Sequence, residues 1–118
     1  MLFRISRLPL AVLTLACAAL AADISGTWEF TVETAQGSGS PSFEFKQTGE
    51  KLTGTYNGMF GKAEIAGTVK GDQIEFTFDA PNVDGKVRYK GTLESPTRMK
   101  GECEYGDVGK GTFTATKK

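Results

Sequence analysis

A glycine-centred five-residue pattern recurs through the second half of this chain, and it constrains the fold more than any other feature. The copies are Leu52-Thr53-Gly54-Thr55-Tyr56, Ile65-Ala66-Gly67-Thr68-Val69, Tyr89-Lys90-Gly91-Thr92-Leu93, Met99-Lys100-Gly101-Glu102-Cys103 and Gly109-Lys110-Gly111-Thr112-Phe113. Most read apolar, polar, Gly, polar, apolar. With the two-residue period of a strand, the apolar residues and the Gly share one face and the polar residues take the other. A bare Gly on the apolar face leaves room for a neighbouring ring and lets the strand bend sharply. Repeated strand after strand, this curls a sheet onto itself.

The alternation continues outside the repeats. Trp28, Phe30 and Val32 face Thr27, Glu29, Thr31 and Glu33, and Phe43 and Phe45 alternate with Glu44 and Lys46. Ile74, Phe76 and Phe78 form another apolar set, as do Phe113 and Ala115. No window shows a helical period. The chain is therefore read as all-β, with about eight short strands. Tight turns are expected at Gly49-Glu50, Gly71-Asp72 and Ser95-Pro96-Thr97, with longer loops at residues 35–41, 58–61, 80–85 and 106–109. Connections this short favour an antiparallel up-and-down meander closed into a barrel, since closure removes exposed edges. A membrane barrel would carry its apolar face outward and is excluded. An immunoglobulin-like sandwich needs long crossovers that the spacing does not supply.

The turns also set register. Gly54 falls opposite Phe45 and Gly67 opposite Phe76, so a ring covers each bare glycine. On the polar face Glu94 is expected opposite Arg98, Lys90 opposite Glu102 and Arg88 opposite Glu104. The basic run Lys86, Arg88, Lys90 then reads as a solvated face neutralised across strands rather than an anion site.

Residues 1–22 have the composition of a secretory signal peptide. Arg4 and Arg7 precede an almost wholly apolar run, and Ala19-Leu20-Ala21 fits the small-x-small cleavage pattern. That run is shorter than the ~20 residues a spanning helix needs. Residues 23–118 are then one barrel domain, secreted or periplasmic, with no membrane span. Cys17, preceded by Thr14-Leu15-Ala16, admits a lipoprotein reading, but a small residue inside a leader is the simpler one. Without Arg4 and Arg7 the domain lies two charges to the acidic side, which argues against nucleic acid. Cys103 keeps phase with Met99, Gly101 and Tyr105 and is expected to be buried as a small hydrophobe.

Gly26-Thr27-Trp28 on a first strand, followed by such a meander, resembles the lipocalin and avidin superfamily and small secreted bacterial barrels of this calycin type. Ile24-Ser25-Gly26-Thr27-Trp28, Leu52-Thr53-Gly54-Thr55-Tyr56 and Gly111-Thr112-Phe113-Thr114 are similar to avidin's first, third and last strands. The resemblance implies a ligand-binding barrel but does not carry biotin binding over. Phe30 stands where avidins place an Asn, Gly58 where they place a Ser and Gly111 where they place an Asp. Tyr56 matches.

The chain has no His, which removes the commonest general base and metal ligand. No inward carboxylate pair is expected, and Asp79 and Asp84 read as turn formers. Enzymatic activity, a metal and a cofactor are therefore not expected. The candidate ligand-binding residues are Met59, Phe60, Val83 and Val108 on the mouth loops, with Trp28, Tyr56, Tyr89 and Tyr105 on the inner face. The expectation is a non-catalytic barrel binding a small, mainly apolar molecule at its open end. A protein-binding module, such as a barrel-type protease inhibitor, and a purely structural domain are the alternatives.

Overall fold

The computed structural model describes residues 23–118. The signal-peptide reading of residues 1–22, and Cys17 with it, lie outside that range. The described residues contain no helix long and apolar enough to cross a membrane. They form β1 (Gly26–Thr34), β2 (Gly37–Gly39), β3 (Ser42–Thr48), β4 (Lys51–Gly58), β5 (Gly61–Lys70), β6 (Gln73–Phe78), β7 (Val87–Ser95), β8 (Arg98–Tyr105) and β9 (Gly109–Lys117). All pairings are antiparallel between sequence neighbours, and β1 pairs with β9 from Trp28↔Lys117 to Thr34↔Gly111 to close the barrel.

β2 and β3 are two parts of one barrel strand, so the barrel has the eight strands expected. Pairing against β1 runs in one register from Gly26↔Phe45 to Glu29↔Ser42 and resumes in phase from Val32↔Gly39 to Thr34↔Gly37. The interruption falls at Pro41, which has no N–H to give to a ladder. Its carbonyl still accepts from the Phe30 N–H at 3.0 Å. The flexible loop expected over residues 35–41 is thus a tight turn at Ala35-Gln36 followed by paired strand. Residues 58–61 are no longer a loop either: Gly58 pairs with Gly61 around Met59-Phe60. Only the β6–β7 and β8–β9 connections at this end are longer than two residues.

The glycine repeats behave as their spacing predicts. Phe45 pairs with Gly54 and Phe76 with Gly67. A Cβ at Gly54 would overlap the Glu44 carbonyl, and one at Gly67 the Glu75 carbonyl. Only a residue without a Cβ lets the backbone of the neighbouring strand come this close. On the outer face Lys90↔Glu102 and Arg88↔Glu104 are in register, but a bulge between Leu93 and Ser95 moves Arg98 opposite Ser95. The expected Glu94–Arg98 pairing is displaced, and Glu94 instead bridges Lys100 at 3.3 Å. Glu104 bridges Lys110 at 3.7 Å, and Lys86 bridges Asp79 at 3.2 Å.

The interior is filled, not hollow. Tyr89 stacks on Phe76 at 5.0 Å and meets Phe30, Phe43 and Phe113 at 5.1–5.6 Å between ring centroids. Phe43 in turn packs against Phe76 at 5.2 Å. At the closed end, where the chain enters β1, the Trp28 indole N–H donates to the Ile24 carbonyl at 2.9 Å. The Ile24 N–H donates to the Gln47 side chain at 2.9 Å, which ties the entering segment under the barrel. Cys103 is free, only 4% exposed, and packed in this core.

Candidate functional site

The lumen is full, and the mouth is the end where β1–β2, β4–β5, β6–β7 and β8–β9 are connected. There a half-open recess of about 160 Å³ is lined by Val32, Thr34, residues 36–41, Tyr56, Met59, Phe60, Tyr105 and Val108. Its origin is local. Along β1 and β2 the inward positions pair as Val32↔Gly39 and Thr34↔Gly37, so β2 offers two bare positions where a strand would ordinarily carry side chains. Nothing lies within 4 Å of a Cβ at Gly37, and a Cβ at Gly39 would meet only the Met59 Cε at 3.4 Å. The glycines of β2 make the recess.

Aromatic rings form the floor. Phe60 turns back over the mouth and packs on Tyr105 at 5.4 Å, while Met59 beside it is 69% exposed. The sequence places both on the same mouth loop. The two-residue turn separates them, sending Phe60 against the core and Met59 into solvent. The Tyr56 hydroxyl accepts a long hydrogen bond from the Phe60 N–H at 3.4 Å. Deeper in, the Tyr89 and Tyr105 hydroxyls are hydrogen-bonded to each other.

Burial raises all three phenols above the usual tyrosine range, and for Tyr89 the neighbouring Tyr105 adds to the effect. Burial also pushes the Cys103 thiol up to about 11. A phenol or thiol held neutral in this way is a poor base and a poor nucleophile at neutral pH. No charged side chain lines the recess. No group of three or more His, Cys, Asp or Glu residues among those described is placed to hold a metal ion. The recess can exclude water from an apolar group and orient it with a few neutral polar atoms.

Of the eight residues singled out from sequence, the structure brings Tyr56, Met59, Phe60, Tyr105 and Val108 together on this recess. Tyr89 lies beneath it in the filled core. Val83 is buried in the β6–β7 connection, where a Cβ on Gly106 would meet it at 2.9 Å. Trp28 caps the opposite end of the barrel. Phase alone put Trp28 and Tyr89 on the inner face, and position along the axis depends on strand tilt, which phase does not report. The β2 residues were missed, because a run of Gly and Ser reads as a loop.

A second concavity, of about 840 Å³, is a shallow trough on the outer wall crossing β3, β4 and β5. Its outward side chains include Glu44, Lys46, Glu64, Asp79 and Lys86. These charges are mixed in sign and solvated, which is the ordinary character of a barrel exterior.

No protein-family model and no curated protein matches the chain. Solved structures do. A redesigned β-barrel superposes with a TM-score of 0.68 at 23% identity, covering 86% of this chain and 95% of its own. Another redesigned β-barrel, mFAP1 bound to DFHBI, gives a TM-score of 0.61 at 22% identity over 86% of this chain and 98% of its own. A de novo designed fluorescence-activating β-barrel gives a TM-score of 0.56 at 17% identity over 80% of this chain and 93% of its own. At such identities the likeness is one of fold, and the chain has the fold of an eight-stranded antiparallel β-barrel.

Proposed function

We propose that this protein is a non-catalytic barrel that holds a small, mainly apolar molecule at its open end. The observation that carries the reading is an apolar recess left by Gly37 and Gly39 at one end of an otherwise filled barrel. Its ~160 Å³ is below the ~300–1,000 Å³ of sites for drug-sized ligands and comparable to a ~150 Å³ cavity that takes benzene. The occupant is therefore no larger than about one aromatic ring, or it leaves part of itself in solvent. The barrel mFAP1 supports the reading by analogy, since a chain of the same fold is bound to DFHBI. With a leader at residues 1–22 the protein acts after secretion, in the periplasm or outside the cell, as a calycin-type carrier or sensor would.

The test is toluene binding followed by ligand-observed NMR, in the native protein and in Gly39→Leu. The Gly39 backbone is not left-handed, so Leu is tolerated there and fills the recess. Saturable binding that falls tenfold or more in Gly39→Leu supports the mouth site. Absence of binding to the native protein, or equal binding to both, overturns it.

A further inference from the structure

The rim of the recess holds an unpaired piece of strand edge. In an antiparallel ladder, residues alternate between facing the partner with both backbone groups and facing away with both. The bond from the Phe30 N–H to the Pro41 carbonyl marks Phe30 and Pro41 as a facing pair. By alternation Val32↔Gly39 and Thr34↔Gly37 are facing pairs too, so the N–H and C=O of Ser38 and Ser40 turn away from β1. On that other side their partner runs out. The last β3–β4 pair is Ser42↔Asn57, after which β4 turns back through Met59-Phe60 into β5. β2 overhangs this hairpin, and among the described residues no hydrogen bond reaches the backbone of Ser38 or Ser40 from that side. Both residues line the recess.

We infer that the mouth takes a neutral amide, its apolar part of about one ring seated on Tyr56, Phe60 and Tyr105, and its N–H and C=O paired with the free strand edge at Ser38 and Ser40. The inference rests on the mouth-ligand reading above and adds the ligand's chemistry. The N–H and C=O of one strand residue point the same way side by side, which is the complement of an amide edge and not of a carboxylate or a hydrocarbon. Lining without any charged side chain selects against ions, which would lose hydration with no counter-charge to replace it. The edge is short: β2 spans three residues, at the lower limit for a strand, so it offers one amide's worth of pairing rather than a ladder for an extended peptide.

Three probes of similar size separate the contributions: benzamide, acetophenone and benzoate, measured by ligand-observed NMR at pH 7. Acetophenone keeps the ring and the carbonyl but has no N–H, and benzoate carries a charge. Benzamide is expected to bind at least fivefold tighter than acetophenone, as one added hydrogen bond allows, with benzoate weakest. Ser38→Pro removes a backbone N–H that the β1 ladder does not use, and proline is tolerated at such edge positions. It should weaken benzamide and acetophenone alike, since the carbonyl of each loses its donor, and leave benzamide's advantage, which rests on a backbone carbonyl that proline keeps, in place; Ser38→Ala, with its backbone intact, changes neither. Equal affinities for benzamide and acetophenone in the native protein overturn the proposal and leave the mouth site standing, as does benzoate binding tightest. Undiminished benzamide binding by folded Ser38→Pro has the same force. Failure of all three probes to bind overturns the mouth site and this proposal together.

Discussion

Replacing Gly67 by Val probes the device that curls this sheet. A Cβ at this position would overlap the Glu75 carbonyl and lie 2.6 Å from the Phe76 Cβ. The nearest obstacle is backbone, so no side-chain rotation relieves it, and β5 and β6 must separate by about 1 Å. Overpacking of a core costs ~1–3 kcal/mol, and a lost ladder hydrogen bond adds ~1 kcal/mol. The expected loss is therefore ~2–4 kcal/mol. For a domain of about 100 residues each kcal/mol shifts Tm by ~4–8 °C, so Tm should fall by at least about 8 °C. Thr68→Val, on the exposed neighbouring position, is the control and should stay within ~0.5 kcal/mol. Urea denaturation followed by Trp28 fluorescence reads both, because that indole is fully buried. A loss under 1 kcal/mol at Gly67, or equal losses at Gly67 and Thr68, would refute the argument that bare glycines are needed where the strands come closest.

The two residues of the β4–β5 turn should separate cleanly in the same assay: Met59→Ser is expected within ~0.5 kcal/mol of the parent, and Phe60→Ser should cost ~1–2 kcal/mol because its ring is half-buried against Tyr105. The buried phenols and the thiol predict alkaline sensitivity. Their folded pKa values lie above the ordinary 10.0 for tyrosine and 9.0 for cysteine, so above those values the unfolded chain holds fewer protons than the native one. Stability should be level with respect to these groups below about pH 9 and decline as pH rises through 10 and beyond. Tyrosinate absorbance should appear together with unfolding rather than before it, and an early, separate titration of all three tyrosines would contradict their burial.

Much of the architecture was legible because it rests on local periodicity. The pairing of Gly54 with Phe45 and of Gly67 with Phe76 followed from counting outward from two tight turns, and the structure has both. Counting failed at Arg98, where one bulge between Leu93 and Ser95 shifted its partner, since a bulge leaves no mark in an alternating pattern. The candidate site was half legible. Tyr56, Phe60 and Tyr105 were found by face and by end of the barrel, whereas Trp28 shares their face and lies at the other end. Residues 36–40 were invisible for a different reason. They contribute through missing side chains and backbone direction, and composition registers such a run only as a loop.

The pairing of β1 with β9 has a consequence for how the barrel assembles. Every other seam is a local hairpin, most of them joined by a few residues, but Trp28 and Lys117 bring together positions almost a whole domain apart. The chain-entropy cost of that one contact is ~4 kcal/mol on the logarithmic scaling with loop length, several times that of a hairpin. The seven residue pairs of the seam recover this only when formed together. We therefore expect the hairpins to form first and the ring to close late, since closure alone demands contacts of this sequence separation.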